Sequence, residues 1–359
     1  MPDRRSFLAG MFAFGLCPSV TWADAGNPAF LSAARKPNGS YALFGLSQKG
    51  EALFEIALPG RGHAAAAHPQ RPEAVAFARR PGNFALVIDC LSGKTTSTLE
   101  TPQGRHFYGH GAFSADGTVL FTPENDYENV AGVIGVWDVR AGYKRIGEFL
   151  SAGVGSHDIK LMPDGQHLVV ANGGIETHPD SGREKLNIAT MQPNLAYVSL
   201  DGTLLDLVEL PHPMHKNSIR HLGVGADSRV AFAMQWQGDV KQSPALLGLH
   251  KRGEKPVLLQ GSDEDRRHLQ GYVGSVAYDS SQHRLAATSP RGDVLQIFDT
   301  QTGLLVESIK EADVCGVALN NRQLVRTSGK GIVCVSGGGA DIARQTHGCQ
   351  WDNHLVPIG

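Results

Sequence analysis

Cysteine is scarce in this chain, five in 359 residues. Cys17 falls in an N-terminal stretch that reads as a leader, which leaves Cys90, Cys315, Cys334 and Cys349. An even count permits disulfides in an oxidising compartment. Cys334 with Cys349 comes first among the pairings because both fall in the last complete repeat, and Cys315 is equally open to a role as a soft metal ligand. An excess of one charge is also missing: 33 Lys and Arg face 35 Asp and Glu, a net charge of −2. With no basic stripe and no aromatic stacking module, that balance excludes a nucleic-acid binder. No apolar run after the leader approaches the roughly 18 residues that a membrane-spanning helix needs. The short catalytic signatures are lacking too: there is no HExxH, no GxSxG elbow and no phosphate-cradling glycine loop.

Glycine and proline are abundant, 43 and 19 residues, as in an all-β chain that turns every eight to twelve residues. The repeating unit is clearest at 109–126, GHGAFSADGTVLFTPEND, which reads as a strand opened by His110, a turn at Ala115-Asp116-Gly117, and a second strand running out into Glu124, Asn125 and Asp126. Asp-Gly between two apolar runs is a strong hairpin signal. The same pattern follows at His157 to Gly165, and the spacing of 47 residues from His63 to His110 and again from His110 to His157 sets the period. A period in the forties with four short strands per unit marks a β-propeller. Six blades are placed at about 62–101, 106–149, 155–211, 217–260, 271–310 and 313–346. The seventh is assembled from three N-terminal strands at 30–35, 41–47 and 52–58 and one C-terminal strand at 352–358, so that the ring has no open sheet edge. The expectation is therefore an all-β, seven-bladed propeller in a single domain over 26–359, monomeric, with one long loop inserted at 172–193. Loops of that length in compact folds usually cover or bind something, and His178 and Arg183 are expected to reach inward from it.

Ahead of the domain, Asp3-Arg4-Arg5-Ser6-Phe7-Leu8 precedes an apolar run at 8–16 and a small-residue exit at Ala23-Asp24-Ala25, the pattern of a twin-arginine export signal. Residues 1–25 are accordingly expected to be removed on export, leaving a periplasmic protein.

In an antiparallel hairpin the residue entering the first strand and the residue leaving the second lie at one end. Entering residues are His63, His110, His157, Arg220-His221, Tyr272, the 313–315 stretch and Asp352-Asn353-His354; leaving residues include Arg79, Glu124 and Gln235. In a propeller both sets ring the mouth of the central channel. Five of seven inner strands open on or beside a histidine, where 15 histidines in 359 residues would place fewer than one at a single aligned position by chance. Converging neutral imidazoles with a carboxylate suit iron, copper or zinc. The expected metal site is His110, His157, His221 and Glu124, with His63 and His354 close by and Asp158 or Asp352 orienting the rings. Asn172, His178, Arg220, Gln235, Tyr272, Trp351 and Asp352 are expected to contact a ligand in the same mouth, Arg220 as a clamp for carboxylate or phosphate. The bland alternative is that these histidines are hydrogen-bonded blade buttresses, as in WD repeats, which Trp137-Asp138 imitates. In those repeats, however, the histidine sits further ahead of its strand than the three residues separating His110 from Phe113.

The stretches RRSFLAG, RGH with HPQRPEAVAFARRPG, GHGAFSADG, ANGGIETHP with LNIATMQP, SIRHL, GYVGSVA, SPRGD, CGVA and WDNHL together resemble an uncharacterised bacterial family known as domain of unknown function fifteen-thirteen, nearly end to end. The resemblance implies twin-arginine export, a propeller-like fold and association with imelysin-type periplasmic iron-uptake proteins; it implies no activity. Its motifs carry His63, His68, Glu73, His110, Glu124, His157, His178, Arg220, His221, Trp351, Asp352 and His354, while Asp158 stands where a glutamate is expected. Three functions follow as expectations: a periplasmic metal-handling propeller acting with iron-uptake partners, a metal-dependent hydrolase, lactonase or oxidoreductase, and an interaction scaffold without a small-molecule site.

Overall fold

The computed structural model describes residues 20–79, 83–320 and 322–358. The twin-arginine motif, the apolar run and Cys17 lie outside the described residues. Each turn predicted from Asp-Gly forms as read. At 114–119, Asp116 Oδ1 accepts from Ser114 Oγ at 2.7 Å and from the Thr118 amide at 3.1 Å, while Gly117 adopts a φ of 72°, a left-handed conformation that costs glycine nothing. The Met162 to His167 turn repeats this with Gly165 at φ 67°.

These hairpins assemble into seven antiparallel sheets arranged as a seven-bladed propeller. Six of them are continuous in sequence: blade 1 (62–99), blade 2 (105–150), blade 3 (156–209), blade 4 (217–259), blade 5 (275–310) and blade 6 (314–346). The closing blade joins Phe30–Arg35, Tyr41–Leu46 and Ala52–Leu58 to the C-terminal segment, as the sequence predicts, with one difference: the C-terminal strand is split. Trp351 pairs with Ala34, then the chain bulges away and Val356 pairs with Leu31. The interrupted residues, Asp352 to Leu355, are buried.

The middle strands are buried on both faces and read as apolar runs, for example Leu168 to Ala171 and Val230 to Met234, all fully buried. Neighbouring blades interlock through them: Phe232 and Met234 of blade 4 belong to the same apolar cluster as Tyr197 of blade 3 and Leu285 and Phe298 of blade 5. A fully buried side chain of this size stabilises by about 1.5–3 kcal/mol, so inter-blade packing dominates stability. The outermost strands alternate with solvent, as Lys144–Leu150 does.

Ring closure gives the first prediction. The bonds Asp352 N to Ala33 O, Ile358 N to Ala29 O and Ser32 Oγ to His354 O, each 2.9 Å, and the burial of Leu355 all depend on 352–359. Deleting those residues is expected to remove roughly 3 kcal/mol or more and to lower the melting midpoint of the metal-free protein by on the order of 10 °C. A truncated chain that melts with its parent would overturn this account of closure.

One sequence expectation is altered, and the expected leader boundary falls beside a packed side chain. All four described cysteines carry free thiols, so the Cys334–Cys349 bond is not formed: Cys334 faces the interior of blade 6 while Cys349 packs against the adjoining apolar cluster. At the other end, Trp22 lies inside the segment assigned to the leader, yet its indole is buried against Leu31, Ile56 and Ile88 and its Nε1 donates to His68 O at 2.8 Å. A cut after Ala25 would take a core side chain with it.

Candidate metal centre

The innermost strands are not regular, and their irregularities aim the histidines. Pairing slips between Gly62 and Ala65 in blade 1, between Ser156 and Asp158 in blade 3 and between Ile219 and His221 in blade 4. In blade 2 the inner strand breaks between Arg105–Phe107 and Ala112–Phe113, and in the closing blade it breaks between Trp351 and Val356. His63, His157 and His221 fall at the slips, His110 and His354 in the gaps. An extra residue in one strand bends it and redirects a side chain; here five such redirections converge on the axis. Gly109 makes the approach feasible: its φ is 97°, and a Cβ there would come within 2.5 Å of His63 Cδ2.

The five rings form one contiguous cluster. Centroid separations are 5.0 Å for His63–His110, 4.5 Å for His63–His354, 4.7 Å for His110–His354, 5.2 Å for His110–His157, 5.0 Å for His157–His221 and 4.9 Å for His221–His354. Two triads can each bring three ring nitrogens within 4.8 Å of one another: His63, His110 and His354, and His110, His157 and His221. They share His110. The first triad is fully buried, and each of its members has a buried nitrogen without a hydrogen-bond partner, namely His63 Nδ1, His110 Nε2 and His354 Nε2. His221 adds two more. An unpaired buried polar atom is costly, and a metal ion would satisfy three at once.

Asp158 sets the chemistry of the shared ring. Its Oδ1 accepts from His110 Nδ1 at 3.0 Å, and its Oδ2 accepts from the Leu222 amide at 3.0 Å. A carboxylate on Nδ1 fixes that nitrogen as the donor and leaves Nε2 with its lone pair directed away, the arrangement of metal-ligating histidines. Burial alone would raise the Asp158 carboxyl, but His110 and Lys160 outweigh it and hold the group far below the usual carboxylate range. Four of the rings are pushed toward the neutral form: burial first, then neighbouring positive charge, lowers His63 and His354 well below the ordinary histidine value, and burial with the Arg220 guanidinium does so for His157. Burial and His110 bring His221 to about 3. Neutral imidazole is the ligating form. A set of three imidazoles suits zinc, copper or iron and leaves coordination positions open.

A cavity of about 680 Å³ opens onto this cluster, lined by His63, His157 and His221, with His110 and His354 set behind them. Of the residues expected to contact a ligand, Arg220, Gln235, Tyr272, Trp351 and Asp352 line it. The 172–193 loop borders it as predicted, through Ile175, Thr177, Arg183 and Lys185.

Four expectations need correction. Glu124 is not a metal ligand. It stands opposite Phe107, beyond the break in the inner strand, and its carboxylate is held within blade 2 by Arg145 of the outermost strand, whose Nη1 donates at 2.6 Å and Nη2 at 3.0 Å. Asn172 is a brace: its Nδ2 donates to Ser151 O and Asn194 Oδ1, both at 2.8 Å, and its Oδ1 accepts from Ser151 Oγ at 2.7 Å. His178 turns outward, where its Nδ1 caps Pro179–Ser181 by accepting from the Asp180 amide and its ring sits edge-on to Tyr127 at 5.0 Å. Asp352 orients no ring; Arg61 and Arg79 donate to its two oxygens at 2.6 and 2.7 Å. Cys315, the soft-ligand option, belongs to neither triad, and its thiol donates to Asp313 O at 3.0 Å.

Sequence reasoning also passed over Arg61, Lys185 and Arg291, which all line the cavity. Arg61, just ahead of the strand Gly62–Ala67, carried only its nearness in sequence to His63. Lys185 and Arg291 carried none.

Among curated proteins none is similar in sequence. A solved structure of the Kuenenia stuttgartiensis hydrazine synthase is similar in fold, with a TM-score of 0.62 at 13% identity over 88% of this chain and 97% of that one; at that identity the likeness extends to the propeller architecture alone. The sequence over residues 56–358 matches the family described as Protein of unknown function (DUF1513), and with blades 1 to 6, their axial histidines and the C-terminal His354 all inside that span, the chain belongs to that family.

Proposed function

We propose that this protein binds one first-row transition-metal ion, iron or copper with zinc as the third option, on His63, His110 and His354 at the propeller axis, and that it does so as an exported protein of the periplasm working beside imelysin-type iron-uptake proteins. The observation that carries the metal reading is the buried triad in which every member has an unpaired nitrogen and one ring is fixed by Asp158. Blade buttresses, the alternative, would have their ring nitrogens bonded to neighbouring backbone, as His68 does: its Nδ1 accepts from the Gln70 and Arg71 amides at 3.1 and 3.0 Å and its Nε2 meets Gly117 O at 3.2 Å. The contrast between His68 and the four axial rings with unpaired nitrogens, His63, His110, His221 and His354, supports the ligating reading. Export is supported by the Arg4-Arg5 pattern and its apolar run, and the iron-uptake partner by the family resemblance.

Protein recovered from the periplasm, and absent from that fraction when Arg4→Lys and Arg5→Lys are combined, is expected to hold close to one equivalent of metal after stripping and refilling with iron, copper or zinc. Elemental analysis showing no stoichiometric metal under all three conditions would remove the reading. A metal-dependent hydrolase, lactonase or oxidoreductase is the second reading, favoured by the open coordination positions beside a large cavity. Metal-loaded protein that turns over no ester or lactone and undergoes no redox cycling would eliminate it.

A further inference from the structure

The cavity in front of the histidines is far from neutral. Seven arginine or lysine side chains line it against two carboxylates, Asp313 and Asp352, in a chain whose net charge is −2. Asp352 is already matched by Arg61 and Arg79. The other five cations come from four separate parts of the chain: Arg35 from the closing blade, Arg183 and Lys185 from the inserted loop, where Lys185 also donates to Gln237 Oε1, Arg220 from the inner strand of blade 4, and Arg291 from the turn after Ser289 in blade 5. Their placement is held: Arg220 Nε donates to Ser218 Oγ at 2.8 Å, and the Arg291 guanidinium lies 4.4 Å over the Tyr272 ring. Lys185 reports the crowding, since burial and then Arg220 and Arg291 hold its amine below the usual lysine value. Concentrating like charge in one cavity costs self-repulsion that a bound counter-charge relieves, and a cleft of one sign draws in ligands of the other.

We propose that the cavity receives a small polyanion bearing two or more carboxylate or phosphate groups, gripped by Lys185, Arg220 and Arg291 with one end against the histidine cluster. Guanidinium groups match carboxylate and phosphate oxygens in pairs, and about 680 Å³ accommodates a ligand of di- or tricarboxylate size. The inference rests on the proposed metal site in one respect only: an anion oxygen would fill a coordination position that three imidazoles leave open. The substrate of the site is then a metal with an anionic chelator, or an anion that the metal holds.

Calorimetric titration of citrate and of inorganic pyrophosphate, with triethyl citrate as the uncharged control, tests this on metal-free and on metal-loaded protein. At least one anion is expected to bind the metal-free protein, to weaken more than tenfold when salt rises from about 50 to 300 mM, and to tighten when metal is present. Lys185→Gln with Arg291→Gln is expected to weaken it at least tenfold while metal content, measured on the same samples, stays at the parent level. Arg220 is left intact because its Nη1 reaches His157 Nδ1 at 3.4 Å. Triethyl citrate binding as tightly as citrate, or an unchanged anion affinity in the double variant, would overturn the proposal. Loss of metal binding with anion binding preserved would instead count against the metal site alone, so the two failures are distinguishable.

Discussion

His110→Ala is expected to abolish stoichiometric metal binding, because His110 is the one ring common to both triads. The remaining variants decide between them. His354→Ala and His63→Ala dismantle the buried triad and leave His110, His157 and His221 in place; His157→Ala does the reverse. The buried triad is the one in which every member has an unpaired nitrogen, whereas His157 Nδ1 already faces the Arg220 guanidinium, a neighbour that disfavours a cation. Metal affinity is therefore expected to fall at least a hundredfold in His354→Ala and less than tenfold in His157→Ala, read by competition with a chromogenic chelator. Asp158→Asn, which keeps the shape but removes the charge that orients His110, is expected to fall between them, at about 10–100-fold. If His157→Ala loses the metal and His354→Ala keeps it, the ion belongs to the other triad; if neither loses it, it lies elsewhere.

The second large effect is on acid stability of the metal-free protein. His63, His157, His221 and His354 all have folded-state values below the ordinary 6.5. The unfolded chain therefore binds more protons than the folded one as pH falls below 6.5, so stability is intact above that value and declines toward the folded-state values. The groups facing the rings keep the sign: Arg79, Arg220 and Lys160 oppose protonation, and Asp158, the one carboxylate favouring it, is itself lowered and so loses its contribution only in stronger acid. Each histidine that stays neutral below pH 6.5 costs stability that grows as the pH falls, and His221, brought to about 3, is neutral throughout the interval to pH 4.5. The urea midpoint is expected to drop steeply from pH 6.5 to pH 4.5, and His63→Gln with His354→Gln to flatten that slope by about half. A midpoint independent of pH over this interval would show that the rings protonate freely in the folded state.

Much of the fold could be read from the chain because its signals are local. Asp116-Gly117 and Asp164-Gly165 each specify a hairpin by their own chemistry, the recurrence of His63, His110 and His157 gives the period, and a C-terminal strand with no neighbours can only complete an N-terminal blade. The axial histidines were legible for the same reason, each opening an inner strand. The failures lie where a residue's meaning depends on a partner distant in sequence or on which face it presents. Glu124 leaves the second strand of its hairpin as expected, but its side chain shares a face with Thr122 and meets Arg145 from the outermost strand, a pairing fixed by register across three strands. Asn172 at a strand end reads the same whether it faces a ligand or ties a blade to its neighbour through Ser151. The cavity cations have no periodicity, since Lys185 and Arg291 arrive on loops whose course is set by packing.

The split C-terminal strand carries a consequence for when the site can exist during synthesis. Two members of the buried triad are made early, on blades 1 and 2, but His354 sits in the gap of the strand that closes the ring, after all six continuous blades. A nascent polypeptide whose closing strand has not yet been made presents only two imidazoles of that set. The proposed ion site is therefore complete only once the ring has locked its first strand to its last.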